Sequence, residues 1–333
     1  MNQPLARRSV LAGMAAVAAA SVVSACGSRS GATTEGVSLK VGNLVGACMS
    51  PLFLAHATGL FAKQGINVEL TYFGNAGDNL SSLVTDTTGV VHNPFSNTMV
   101  AKEKGEDLVI VAGSGSYGLE IIARKGIGVE TLSDLAAKKG TGLRVATARV
   151  NTQELTLFHV LKSQGLSYQD FDMRFFTDNL ALGQALVSKD IDVATVVQPY
   201  AAQVVREAGA TYLGSNEQAW GEHAPDCVVT MKRERVEQDG PFVERYLTAL
   251  TQGEDAYKAD PVKSAEILDK GKYFKVTGQA LSEGLQRTPP LVRLDSAAVT
   301  AMEKGVGDMR DLQYIKNTSA SDVLQLALLK KVG

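Results

Sequence analysis

The chain has 333 residues, of which 45% are apolar and 20% are charged, with 33 Lys and Arg against 35 Asp and Glu and three Cys. This composition excludes a disordered or collagen-like chain, and the length favours two globular domains. The charges are nearly balanced and form no long basic stripe, so the sequence gives no indication of nucleic-acid binding.

The first 25 residues are typical of an export signal. Arg7 and Arg8 precede an apolar and small-residue run, 9–25, that contains no Asp or Glu and is too short to span a bilayer permanently. The run ends in Val-Ser-Ala-Cys-Gly, which resembles the bacterial lipobox, in which Cys26 is acylated, for example with palmitate. The paired arginines resemble a twin-arginine signal, and the general secretory route stays open.

The segment after this signal predicts the location of the protein. Residues 26–36 are polar and Gly-rich, which is typical of a flexible tether. A lipid on Cys26 would therefore anchor an extracytoplasmic domain to the cell membrane. A buried N-terminal helix is the competing interpretation, but a charged start, an apolar middle and small residues before one Cys favour a cleaved signal peptide over 1–25.

Strand and helix patterns then alternate. Strands are predicted over 39–45, 67–73, 90–92 and 108–112, and helices over 78–85 and 96–104. Ser50 at an N-cap position and Pro51 after it predict a further helix, whose apolar stripe ends at Gly65. This order predicts parallel strands with right-handed crossovers and helices on both faces.

A second unit repeats the alternation. Strands are predicted over 119–123, 143–147, 172–176 and 192–197, and helices from 131, from 152 to 164 and around 181–188. Asn151 is predicted to cap the long helix. A mostly helical tail covers 241–331. Two such units predict an α/β protein of two lobes, with a ligand cleft beyond the carboxyl ends of the strands.

Five phrases carry a resemblance to a known family. The sequence PLFLAHATGLFAKQGINVEL, 51–70, resembles the opening of the substrate-binding proteins of nitrate, sulfonate and taurine ABC importers, a family that includes thiamine-precursor binders. The further matches, in chain order, are VIVAGS at 109–114, TLSDL at 131–135, VATVVQPY at 193–200 and FVERYLTAL at 242–250.

The resemblance implies a type II periplasmic-binding fold, in which two α/β lobes joined by two crossovers close on a small solute. It implies a discontinuous lobe 1 over 37–117 and 226–333 with C-terminal helices, and a lobe 2 over 118–225. It also implies a monomer that is no enzyme, needs no cofactor and delivers a small organic or oxyanion solute to ABC permease subunits.

Candidate ligand-binding residues follow the strand ends and the helix starts. Hydroxyls, amides and helix N-termini would donate hydrogen bonds to the solute, and Phe95, Tyr117 and Tyr200 would supply flat apolar walls. For each of them a capping or packing role is the alternative. The candidates are Ser50, Asn75, Asn93, Phe95, Ser114, Ser116, Tyr117, Arg149, Asn151, Thr152, Asp178, Gln198 and Tyr200.

The charge of the solute stays open. Helix N-termini and Arg149 favour a nitrate, sulfonate or carboxylate. Four acidic residues at predicted cleft positions would compete with an anion: Asp78, Glu154, Asp178 and Asp226. Val197 and Gln198 stand where the family has Trp and Glu, which weakens the likeness to thiamine-precursor binders. A small anion is slightly favoured over a nitrogen heterocycle.

Cys48 and Cys227 follow or begin predicted strands, so both are expected near the cleft. A disulfide and two separate thiols both remain open, because the sequence does not supply the Cα distance. No spacing such as C-x-x-C supports a metal site, and none is expected.

Two other functions use the same fold. A thiamine-pyrimidine-synthase-like enzyme would need His56, His159 or Cys48 as base or nucleophile, but both histidines are isolated in helices without an acid at useful spacing. A receptor that presents its solute to a membrane sensor, rather than to a permease, is not distinguishable by sequence.

Overall fold

The strands within residues 36–332 form two separate five-stranded sheets. A computed structural model describes residues 36–332. The predicted signal peptide, Cys26 and all of the predicted tether except Gly36 lie outside the described residues. The strands are β1 (Val37–Asn43), β2 (Ile66–Tyr72), β3 (Val90–Pro94), β4 (Leu108–Ser116), β5 (Leu119–Ala123), β6 (Arg144–Ala148), β7 (Asp172–Phe176), β8 (Val193–Val197), β9 (Thr211–Ser215) and β10 (Pro225–Lys232).

Both sheets have the same topology. The first has the order β2-β1-β3-β10-β4 and the second the order β7-β6-β8-β5-β9. In each, one strand is antiparallel to its neighbours: β10 pairs antiparallel with β3 and β4, and β5 with β8 and β9. The α/β prediction is confirmed, but the all-parallel expectation is wrong, because β5 and β10 follow the crossings between the sheets.

Helices cover both sheets. Those of the first half are α1 (Ser50–Ala57), α2 (Leu60–Lys63), α3 (Ala76–Val84), α4 (Phe95–Glu103), α5 (Asp134–Ala137), α6 (Thr152–Ser163), α7 (Asn179–Val187) and α8 (Tyr200–Ala208). Those of the second half are α9 (Asn216–Trp220), α10 (Arg233–Gln238), α11 (Gly240–Ala259), α12 (Pro261–Lys270), α13 (Gly278–Gln286), α14 (Ser296–Asp311), α15 (Ala320–Val323) and α16 (Leu329–Val332). Single 3₁₀ turns occupy Ala47–Met49 and Tyr168–Asp170.

The first helix begins differently from the prediction. Met49 is its N-cap residue, and Ser50 is already helical with no capping hydrogen bond, because the preceding 3₁₀ turn leads directly into α1. The predicted continuous helix to Gly65 is also interrupted. Gly59 adopts a left-handed conformation at φ 71°, which ends α1 and begins α2.

The chain passes between the sheets at two adjacent points. It leaves the first sheet after β4, turns through Tyr117 at φ 58° and Gly118 at φ 78°, and enters the second as β5. It returns through residues 221–224 to β10. The Tyr117 N–H donates to the Ala224 carbonyl at 2.9 Å, so the outgoing and returning segments are joined by a hydrogen bond.

The C-terminal helices touch the helices of both sheets. Helices α11 and α12 pack on helices of the first sheet, and α16 packs on α11. In contrast, α13 packs against α8, and α14 packs against α4, α6 and α9. The segment between them hydrogen-bonds to β4, since the Ser116 and Gly113 amides donate to the carbonyls of Pro289 and Val292 at 3.0 Å. The C-terminal segment is therefore a third connection between the two sheets.

Gly115 lets the first sheet and the 3₁₀ turn approach closely. A Cβ on this residue would lie 2.6 Å from the Cα of Cys48. We expect Gly115→Ala to reduce the free energy of unfolding by about 1–3 kcal/mol, because the backbone must shift to accept the methyl group. Urea unfolding of the full-length chain measures this.

Gly307 in α14 is the matched control, because a Cβ there would meet no atom within 4 Å. Gly307→Ala should leave the structure unchanged and raise the free energy of unfolding by about 0.5–1 kcal/mol. Equal effects of the two substitutions would contradict the close approach of Gly115 to Cys48.

Candidate functional site

A cavity of about 580 Å³ opens between the two sheets. One wall is formed by α3 and α4, which follow β2 and β3 of the first sheet. The other is formed by the loop from β6 to α6 and by the end of β7 in the second sheet. The cavity therefore includes the carboxyl ends of β6 and β7 and the N-termini of α3 and α6. It continues between α3 and α4 toward their C-terminal ends, as far as Thr85, Lys104 and Glu106.

A second, smaller space of about 10 Å³ lies at the floor of this cleft. It is lined from the first sheet by Leu44, Gly46, Cys48, Pro94, Asp226 and Cys227, and from the second by Asn151, Gln153 and Val197. Asn151 lines both spaces, so they adjoin. Nearby, the Ala47 N–H donates to the Gln198 carbonyl at 2.6 Å, which holds the two sheets in contact.

Two thiols and a carboxyl group meet at this floor. Cys48 and Cys227 are free thiols with their Sγ atoms 2.9 Å apart. The carboxylate of Asp226 lies between residues of both sheets and accepts a hydrogen bond from Thr152 Oγ1 at 3.1 Å. The two cysteines are separated by 179 positions in the sequence, and the pairing of β10 with β3 and β4 brings them together.

A β-bulge places the carboxylate in the cleft. Pro225 pairs with Ser116 and Cys227 with Gly115, so Asp226 is an extra residue on β10. Such bulges redirect side chains next to binding sites. Asp226 is only 4% exposed, and burial raises its pKa to about 6. Burial raises the pKa of both thiols as well, that of Cys227 to about 12.

Four predicted residues lie around the cavity of about 580 Å³, which is called the upper cavity below. Asn75, Asn151 and Asp178 are N-caps of α3, α6 and α7, and each side chain accepts an N–H of the first turn. Arg149 is exposed, and its guanidinium carbon lies 4.1 Å above the ring of Phe175. Asn75, Arg149 and Asn151 line the cavity, so the structure combines their capping or stacking role with access to a solute.

Four more predicted residues lie below the floor. Thr152 holds Asp226, as described above. Ser114 donates to the Cys48 carbonyl at 2.7 Å, and Asn93 donates to the following carbonyl at 3.2 Å. Ser50 is fully buried, and its Oγ has no hydrogen-bond partner among residues 36–332. Thr152, Ser114 and Asn93 therefore contact residues of the floor, and none of the four lines the upper cavity.

Three first-sheet candidates point away from both spaces. The Phe95 ring is fully buried against Trp220, with ring centroids 5.7 Å apart, so it is a core residue rather than a cleft wall. Ser116 Oγ donates to the Pro289 carbonyl at 3.2 Å. Tyr117 forms the crossing, where its hydroxyl accepts a backbone N–H of the returning segment at 3.0 Å.

Gln198 and Tyr200 are also covered, by the C-terminal segment. The Gln198 side chain donates to Glu120 at 3.3 Å and accepts from a backbone N–H of α8. The Tyr200 hydroxyl accepts the Lys275 N–H at 3.5 Å, and the residue is 8% exposed. Neither lines the cavities at the cleft, and no local pattern around them indicated the distant segment that buries them.

Gln153 was missed as a site residue, and Asp226 was expected at the cleft but not among the ligand-binding residues. Cys48 and Cys227 were expected near the cleft. Gln153 donates from Nε2 to the Thr195 carbonyl at 2.8 Å, and its Oε1 has no partner in the described part of the chain. Its position one residue after a predicted helix start was the only local signal. The bulge that directs Asp226 depends on strand pairing, which the sequence does not display.

The two helical histidines have structural partners. His56 Nδ1 lies 2.7 Å from the Tyr273 hydroxyl. His159 is paired with an acid after all: its Nδ1 lies 2.8 Å from Asp308 Oδ2, which also accepts from Trp220 Nε1 at 2.9 Å. Asp308 lies on α14, 149 positions away, so the spacing of acids along the sequence did not reveal this pair. Neither histidine lines the cleft cavities.

The sequence matches a family model over residues 32–267, more than half of the chain. The model is described as the NMT1-like family. The chain belongs to this family. No curated protein sequence matches the chain.

Solved structures of this fold include a ligand-binding component of an ABC-type import system from Staphylococcus aureus with zinc bound, at TM-score 0.76 and 17% identity, covering 89% of this chain and 99% of that one. The aliphatic sulphonate-binding protein SsuA from Escherichia coli has TM-score 0.72 and 16% identity, covering 86% and 92%. The nitrate-binding protein NrtA from Synechocystis has TM-score 0.72 and 16% identity, covering 90% and 88%.

These likenesses confirm the predicted fold class, a periplasmic-binding fold with two α/β lobes. Most of the named neighbours are binding proteins, although one, at TM-score 0.67 and 13% identity, is the desulfurization enzyme DSZB. The family likeness predicted from the sequence is also confirmed. Within residues 36–332, no helix is both long and apolar enough to cross a bilayer.

The raised pKa of Asp226 predicts a pH effect on stability. The folded chain keeps a proton on this group between pH about 4 and 6, whereas the unfolded chain releases it near the ordinary value of 3.8. The contribution of Asp226 to stability therefore falls as the pH rises through that window. Asp226→Asn, which resembles the neutral acid, should gain stability relative to the unsubstituted chain between pH 4 and 7, by up to about 3 kcal/mol.

Urea unfolding at pH 4, 5, 6 and 7 in buffer with EDTA measures the difference. Asp86→Asn is the control, because Asp86 is exposed, pairs with Lys232 and has a positive φ that Asn tolerates. A stability difference for Asp226→Asn that does not change with pH would refute the burial effect.

Proposed function

We propose that this protein is an extracytoplasmic solute-binding lipoprotein, which captures a small organic or oxyanion solute by hinge closure and delivers it to an ABC importer. The observation that carries the proposal is the cavity of about 580 Å³ lined from both sheets, in a chain of the NMT1-like family. The sulphonate-binding, nitrate-binding and import-system neighbours support a small solute as cargo.

The proposed motion divides the chain into a lobe 1 over 37–117 and 226–333 and a lobe 2 over 118–225. Strand membership of the two sheets supports this division. A solute held between the lobes contacts both only when they are closed, so its binding shifts the population toward the closed form. The permease subunits would then bind that closed form.

The proposal includes the anchor. Cleavage of the signal peptide before Cys26 and acylation of that residue would hold a monomeric receptor at the membrane, with 26–36 as its tether. The geometry gives no support to an enzyme, because His56 and His159 lie outside the cleft in contact with Tyr273 and Asp308. Cys48 does lie at the floor, but burial raises the pKa of its thiol and so disfavours the thiolate that a nucleophile needs. We therefore propose a binding protein and not a catalyst.

Charge is distributed unevenly in the cleft. Arg149 and Lys104 line the upper cavity together with Glu106, whereas Asp226 lies at the floor. An anionic group of the solute is therefore best accommodated near Arg149, whose guanidinium is held on the face of Phe175. The remainder of the solute would point toward the neutral amides of Asn75 and Asn151.

A thermal-shift screen tests the cargo class. Nitrate, bicarbonate, taurine, alkanesulfonates, pyrimidines and flavins are added separately, and a cognate solute at 100 times its dissociation constant should stabilise the native state by about 2.7 kcal/mol. Arg149→Gln should weaken binding of an anionic solute by about tenfold or more, measured by calorimetry, because a charge-assisted hydrogen bond is lost.

Arg174→Gln is the matched control, because Arg174 is exposed on β7 and pairs with Asp172 outside the cavity. Small-angle scattering should show compaction when the cognate solute binds. Binding without compaction would contradict hinge closure, and equal affinity of the Arg149→Gln and Arg174→Gln chains would remove Arg149 from the site.

The anchor has its own test. Cys26→Ala removes the sulfur that the lipid would occupy, so the protein should move from the membrane fraction to the soluble extracytoplasmic fraction. Fractionation of cells followed by immunoblotting measures this, and Cys48→Ala serves as the control that keeps the anchor. A Cys26→Ala chain that stays with the membrane would refute the lipid anchor.

A further inference from the structure

The floor of the cleft gathers three side chains that can ligate a metal. One ligand atom from each of Cys48, Asp226 and Cys227 lies within 4.8 Å of the other two. Cys48 lies in the 3₁₀ turn before α1, and the other two begin β10. All three are at most 4% exposed. Because they lie in a 3₁₀ turn and a β-strand, regular backbone structure determines their positions.

No cationic side chain among residues 36–332 balances this cluster. In the described part of the chain, the side-chain hydrogen bonds of Asp226, Cys48 and Cys227 involve one another and Thr152, and no Lys, Arg or His forms an ion pair with them. A buried carboxylate beside two thiols costs free energy unless a positive charge or a proton neutralises it. A divalent cation would supply that charge.

A fourth donor faces the same space from the other sheet. Gln153, on the first turn of α6, lines the floor space and is fully buried. Its Nε2 is held by the Thr195 carbonyl, and its Oε1 has no hydrogen-bond partner among residues 36–332. This acceptor oxygen, buried without a donor, is what a bound cation would satisfy.

We propose that Cys48, Asp226, Cys227 and Gln153 form a binding site for a divalent cation of the zinc class. Two sulfurs and two oxygens suit a four-coordinate, borderline-soft ion, whereas Mg²⁺ and Ca²⁺ require oxygen ligands alone. Binding releases the two thiol protons to solvent, and each sulfur then holds the ion as a thiolate. The floor space of about 10 Å³ admits an ion but no larger solute.

Binding requires a small rearrangement. Two thiolates at about 2.3 Å from a tetrahedral ion are about 3.8 Å apart, so the sulfurs must separate from 2.9 Å. Because three ligands come from the first sheet and one from the second, the ion would also join the two sheets. This site goes beyond the proposed transport function, because it can be measured without any solute.

Cobalt titration of the reduced protein tests the site. The full-length chain carrying Cys26→Ser retains only the two thiols of the cluster. After anaerobic removal of reductant and chelator, Co²⁺ should bind one ion per chain, with thiolate-to-cobalt bands in the near ultraviolet and tetrahedral d–d bands in the visible. Zn²⁺ should displace the cobalt, and Mg²⁺ should not.

Variants assign the ligands. Cys48→Ser and Cys227→Ser should each weaken cobalt binding by more than about a hundredfold, since even loss of outer-sphere partners costs 10–100-fold. Asp226→Asn and Gln153→Leu should weaken it by about tenfold or more, and Gln153→Leu should keep the thiolate bands. Asp86→Asn, an exposed acid, should bind as the unsubstituted cluster does.

A measurement on the unsubstituted cluster guards against variants that fail to fold. Zn²⁺ should slow the alkylation of Cys48 and Cys227 by iodoacetamide, which is measured by mass spectrometry. Circular dichroism of the same sample shows whether the fold is intact. A folded, reduced chain that shows no tetrahedral cobalt spectrum would overturn the site. Full cobalt affinity in the Cys48→Ser chain would also overturn it. The same holds if Cys48 and Cys227 form a disulfide in the native compartment and its reduction restores no cobalt binding.

Discussion

The position of β10 is the constraint on which the rest of the structure depends. The chain leaves the first sheet, builds the whole second sheet, and must return between β3 and β4 rather than at a free edge. This return makes β10 antiparallel and brings Cys227 beside Pro94 and Gly115. The bulge at its start then directs Asp226 toward α6 of the other sheet. One pairing thus determines both the crossings and the floor of the cleft.

Local pattern sufficed for most of the fold. Strands β5 and β7 have the predicted bounds, and the cap at Asn151 lies where Asn followed by a polar turn indicated it. Hydrophobic periodicity and caps are properties of neighbouring residues, so a single sequence displays them. The antiparallel strand in each sheet was not predicted, because its direction depends on partners far away in the sequence: β10 returns to β4 through the whole second sheet, and β5 pairs with the later strands β8 and β9.

The site was predicted less well than the fold, for the same reason. Phe95 and Tyr200 follow strand ends as solute-contacting residues would, yet Trp220 and the C-terminal segment cover them. Aromatic residues at helix starts occur both in hydrophobic cores and in ligand clefts. Contacts with residues far away in the sequence determine which of the two a given ring occupies. Asn75 and Arg149 do reach the cavity, because a helix cap or the loop before a helix lies at the cleft in either case.

The C-terminal connection determines where the two sheets can separate. Arg287 donates to Glu120 of β5 at 2.7 Å and lies over the Tyr212 ring, while the residues after it are hydrogen-bonded to β4. All the covalent connections between the sheets therefore lie beside β4, β10, β5 and β9, and the 580 Å³ cavity reaches the opposite side, by β2 and β7. Under the proposed hinge closure, a rotation about this connected edge would produce its widest displacement at the opposite side, so a solute would enter and leave there, past Tyr72 and Phe175.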